Sequence, residues 1–168
     1  MKGFTTTSAA NNRSQLVDKL LDSTGYVSHQ FHLWADVLRV NTVGISHVQG
    51  GIYYAPWIKE QIRNNVPYDK FVRSLITAKG QPWDNPAVGY YLRDEDMPFD
   101  NMAMGLQVFL GTHMQCAQCH DDPSGEWSQK DFLQLAAYSH PVATTGARIA
   151  TEIGDKSELQ FVRKVSHA

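Results

Sequence analysis

Residues 101–120 read NMAMGLQVFLGTHMQCAQCH, and what precedes the two cysteines decides the fold class. Met102, Leu106, Phe109 and Leu110 recur at the three-to-four spacing of one helical face, so the cysteine pair follows a helix. A redox dithiol of the thioredoxin kind instead opens a helix after a strand, in a chain where strands and helices alternate. No such alternation is present, and the expectation is a mainly α domain.

Working outward, the helical period continues in both directions. Leu16, Val17, Leu20 and Leu21 mark a first helix in SQLVDKLLDS, and Val27, Phe31, Trp34, Ala35 and Leu38 form one stripe of a second in YVSHQFHLWADVLRV. Gly44 and the pair Gly50-Gly51 predict a loop over NTVGISHVQGGIYY, after which Pro56 suits the first turn of a helix ending near Asn64. Pro67 starts another, with Phe71, Val72, Leu75 and Ile76 as its inner face and Gly80 as its C-terminal cap. Residues 81–99 mix prolines with Trp83, Tyr90, Tyr91 and Phe99, which predicts an ordered aromatic loop. Asp100 is the predicted N-cap of the helix over 101–110, and Ser128 with Asp131 predicts a capping box for SQKDFLQLAAYS, stopped by Pro141. The sum is a single domain of five or six helices with long ordered loops. Its divisions are a loose segment 1–12, a helical domain 13–141 and a poorly defined extension 142–168.

Bulk properties exclude several classes. The 168 residues carry a formal net charge of -2, which provides no field for collecting nucleic acid. No apolar run approaches the roughly 18–20 residues that span a bilayer, and the start MKGFTTTSAANNRS lacks the apolar core of a secretory signal.

Cys116, Cys119 and His120 carry the chemistry. Two thiols three apart, on one side of a helical turn, can each add to one vinyl group of protohaem, while the next residue offers its imidazole to the iron. Structural zinc asks for four ligands and no second pair supplies them; iron–sulfur clusters ask for more thiolates still. The expected cofactor is therefore haem c. A sixth iron ligand is sought among Met102, one helix away, and His47, in the glycine-rich loop. Met104 and Met114 are lesser alternatives. His113 stands too close to Cys116 to cross the porphyrin, and His29 and His32 flank an amphipathic helix. Asp121, Asp122 and Glu126 read as a solvated loop turned by Pro123 and Gly125; the alternative is a carboxylate that holds the His120 ring nitrogen or tunes the iron potential.

The strings NNVPYDKFVRSLITAKG, NPAVGYYLRD, DNM, VFLGTHMQCAQCHDDP and WSQKDFLQLAAY, with WADVLRV upstream, resemble a cytochrome-associated domain of unknown function, the PSCyt type, found in large exported proteins of planctomycetes and related bacteria. The resemblance covers roughly residues 14–140. It implies an exported, periplasmic or cell-surface setting, a leader lost by truncation, and an adjacent domain or protein as redox partner. The DNM match is what puts Met102 first as distal ligand. One position departs: the family commonly has a second histidine where this chain has Asp122, so no role of that histidine carries over. Electron transfer is the expected function. The alternatives are a haem enzyme with an open distal site acting on peroxide or a small ligand, and a metal-stabilised binding scaffold.

Overall fold

The computed structural model describes residues 12–40, 45–94, 97–138, 142–145 and 148–151. Seven α-helices are present among them: α1 Asn12–Leu21, α2 Thr24–Val37, α3 Ile45–Arg63, α4 Tyr68–Ile76, α5 Gly89–Leu92, α6 Pro98–Leu110 and α7 Gln129–Ala136. Two 3₁₀ turns, Pro86–Val88 and Cys116–Gln118, stand before α5 and α7. Strands β1 Val142–Thr145 and β2 Arg148–Thr151 pair antiparallel, Val142 opposite Thr151, in a stretch where the sequence pattern offered no element.

The mainly α expectation holds, with three corrections. The helix count is seven because the aromatic loop contains a single helical turn, α5, whose four residues are all buried. Second, the predicted loop around Gly50-Gly51 is helical, and α3 begins at Ile45 rather than at Pro56. Helical glycine costs only about 1 kcal/mol against alanine, and α3 recovers more by packing on α2, α5 and the 86–88 turn. Pro56, inside α3, frees the carbonyl of Ile52, an exposed residue that water can serve. Third, Asp100 lies within the first turn of α6; Met97 is the N-cap residue and makes no side-chain bond.

Two apolar clusters organise the chain. Leu38, Tyr54, Ile58, Phe71, Leu75, Val88 and Leu92 join α2 through α5. Gly89 is required there, because a side chain on it would meet Tyr54 atoms at 2.5 Å. The second cluster, Ala103, Leu106, Met114, Ala117, Phe132 and Ala136, clamps α6, the cysteine segment and α7. Between the last turn of α6 and that segment, Gly111 takes the left-handed conformation at φ 65° and turns the chain back.

Candidate functional site

After Gly111 the chain anchors itself twice. Met114 and Ala117 are both fully buried in the second cluster, and the cysteines on either side of Ala117 are exposed and free. The local geometry explains this. The Cys119 and His120 amides both donate to the Cys116 carbonyl at 3.3 Å, closing a 3₁₀ turn in which residues i and i+3 eclipse each other. With Ala117 turned inward, Cys116 and Cys119 share the outer side. The sequence pattern expected helix directly before the pair; five non-helical residues, 111–115, intervene.

His120 is exposed, and its Nδ1 lies 2.7 Å from the Asp121 carbonyl oxygen. A carbonyl can only accept, so Nδ1 bears the hydrogen, and in the neutral ring Nε2 keeps its lone pair. The backbone, not a carboxylate, holds the ring nitrogen, and the Asp121 and Asp122 side chains accept backbone amides. Asp121 Oδ1 accepts the Gln129 amide at 2.8 Å, at the start of α7. Gln129 Nε2 donates back to the Cys119 carbonyl at 3.0 Å. Helix α7 itself opens on the predicted capping box: the Asp131 amide donates to Ser128 Oγ, and Asp131 Oδ2 accepts the Ser128 amide. The Ser128 hydroxyl and amide hold the Asp131 carboxyl below its ordinary value.

Asp122, at the position of the departure, is a turn former. Its Oδ1 accepts the Ser124 amide at 2.9 Å and its own amide donates to the Trp127 carbonyl at 2.9 Å. Among the described residues no three His, Cys, Asp or Glu side chains converge to hold a metal ion.

The methionines separate. Met102 packs against the cluster that contains Ala117 and lines a groove of about 330 Å³ between α4 and α6. Met104 takes a contact from Gln115 Nε2 at 3.6 Å. His47 stands in the first turns of α3, not in a loop, and its side chain lies outside the described residues. His29 and His32 are exposed on α2, as their spacing suggested.

Sequence reasoning missed a buried polar knot. Asp94, nearly inaccessible, accepts from Arg39, from Arg93 Nε at 2.8 Å and from Asn101 Nδ2 at 3.0 Å. Arg93 Nη1 also donates to the Leu38 carbonyl at 2.7 Å, Asn101 Nδ2 to the Tyr90 carbonyl at 3.0 Å, and the Arg93 guanidinium lies 4.4 Å above the Tyr90 ring. Burial pushes the phenols of Tyr54, Tyr90 and Tyr91 upward, so they stay neutral. The knot accounts for YLRD and for the Asn of DNM structurally. The available signal was charge embedded in an aromatic run.

Among the described residues no helix is long and apolar enough to cross a membrane. A family model described as PSCyt2, protein of unknown function (DUF1549), matches residues 1–144. Comparisons with curated proteins and with solved structures give no match.

Proposed function

This chain belongs to the PSCyt2 family, and from the geometry of its cysteine turn we propose that it is a covalent haem c-binding module that passes electrons within a larger exported protein. The carrying observation is the state of three side chains in five residues. Cys116 and Cys119 are free and exposed on one side of a 3₁₀ turn, and the hydrogen bond of His120 to Asp121 leaves Nε2 able to ligate.

These residues fit the group. Each thiol adds across one vinyl double bond: sulfur bonds to one carbon, its hydrogen goes to the other, and no oxidant is consumed. His120 supplies the proximal nitrogen, oriented by the Asp121 carbonyl. When bound, iron porphyrin supplies one-electron exchange. Zinc is the poorer occupant, because the Asp121 and Asp122 carboxylates that would complete a tetrahedron already accept backbone amides. An exported, periplasmic or cell-surface setting suits covalent retention of the cofactor and thiols that would otherwise oxidise. The redox partner is then a neighbouring domain or protein.

A second reading, a haem enzyme with an open distal position acting on peroxide or a small ligand, is favoured by one observation: Met102 lines the groove between α4 and α6, which no residue of 111–128 lines. Expression with a cytochrome maturation system tests both. The intact mass should rise by one porphyrin. A low-spin spectrum indifferent to carbon monoxide supports electron transfer, and a high-spin spectrum that responds supports the enzyme. Unchanged mass, with both thiols open to alkylation, overturns both readings.

A further inference from the structure

We propose that the porphyrin joined to Cys116 and Cys119 lies in the open groove between the C-terminal end of α6 and α7, against Trp127 and Tyr138; this rests on the haem reading above. The groove encloses about 510 Å³ and is walled by Leu106, Leu110, Met114, Trp127, Leu135 and Tyr138. That volume falls within the range of small-molecule sites, about 300–1,000 Å³.

Two features tie this groove to the attachment turn. Met114, in its wall, is two residues before Cys116, so their Cα atoms are separated by at most about 7.6 Å. Trp127 closes the loop that follows His120, its carbonyl held by the Asp122 amide at 2.9 Å. The wall is thus built from the chain on both sides of the turn, and α7 is bonded to the turn through Gln129. Leu110, Tyr138 and Trp127 also leave large apolar surface open, at 71%, 70% and 41% exposure. Such side chains gathered on one face mark a surface that something apolar covers, and a flat aromatic ring system suits stacking on Trp and Tyr.

The other apolar groove is less well placed. Its walls come from residues 68–76, 90–91 and 101–110, and no residue of 111–128 reaches it. A macrocycle tethered at residues 116 and 119 therefore has the α6–α7 groove beside it.

The test uses the full chain matured with haem, with Trp127→Ser and Tyr138→Glu in one groove and Ile76→Glu in the other. Intact mass reports attachment; circular dichroism in the Soret band and the rise in Tm of the haem-loaded over the haem-free chain report seating. All variants should carry one porphyrin. Trp127→Ser and Tyr138→Glu should each lose at least half of the Soret dichroism and of the Tm rise, and Ile76→Glu should keep both. Loss in Ile76→Glu alone, or wild-type signals in both α6–α7 variants, would overturn this seat while the added mass upholds the haem reading. No added mass in the parent chain would end both.

Discussion

His120 Nδ1 is bonded to the carbonyl oxygen of Asp121, 2.7 Å away, and the carboxylate of that same Asp121 caps α7 through the Gln129 amide at 2.8 Å. One residue thus fixes the imidazole tautomer with its backbone and seats the neighbouring helix with its side chain. The two tasks separate by mutation. Asp121→Ala should cost about 1 kcal/mol through the lost cap yet leave the proton on Nδ1, as read from the ¹⁵N shifts of His120. A tautomer change would contradict the assignment.

Asp94 is the only carboxylate described in the buried knot, and Arg93 beside it is equally inaccessible. Asp94→Asn leaves the Arg93 charge buried without a counter-ion. The expected loss is about 3–5 kcal/mol in urea unfolding. Asn101→Ala, which strips one donor from Asp94 and one from the Tyr90 carbonyl, should cost about 1–3 kcal/mol.

Gly89→Ala introduces a methyl where Tyr54 already stands, at 2.5 Å. Overpacking of this kind costs about 1–3 kcal/mol, and the gain in helix propensity, about 1 kcal/mol, does not cover the upper part of it. A lowered urea midpoint with unchanged slope is the expected result.

Asp131 provides a pH-dependent contribution. Its carboxyl is held below 3.8 by the Ser128 hydroxyl and amide, so the folded state favours the ionised form. The stabilisation is complete above the ordinary value and fades as pH falls through the lowered one. Asp131→Asn should therefore unfold at lower temperature than the parent chain at pH 7, and the gap should narrow as pH falls through the lowered value of Asp131. A gap independent of pH would show that the charge plays no part.

Met102→Ala should leave the absorption spectrum of the haem-loaded chain unchanged, because Met102 lines the α4–α6 groove, which no residue of 111–128 lines. It should lower stability by about 2 kcal/mol, the low end for a core methionine, since the side chain is only half-buried. A shifted spectrum would identify Met102 as an iron ligand.

Much was legible in the chain itself. The period of α2 and α4, the Ser128–Asp131 capping box and the grouping of Cys116, Cys119 and His120 all follow from contacts within a few residues, where sequence spacing is spatial spacing. Tertiary structure decided the rest. Arg39 meets Asp94 across 55 positions, α3 runs helical through Gly50-Gly51 because its neighbours pack on it, and burial of Ala117 against α6 and α7 sets which way the thiols face. Those outcomes depend on partners far along the chain, and local pattern carries no record of them.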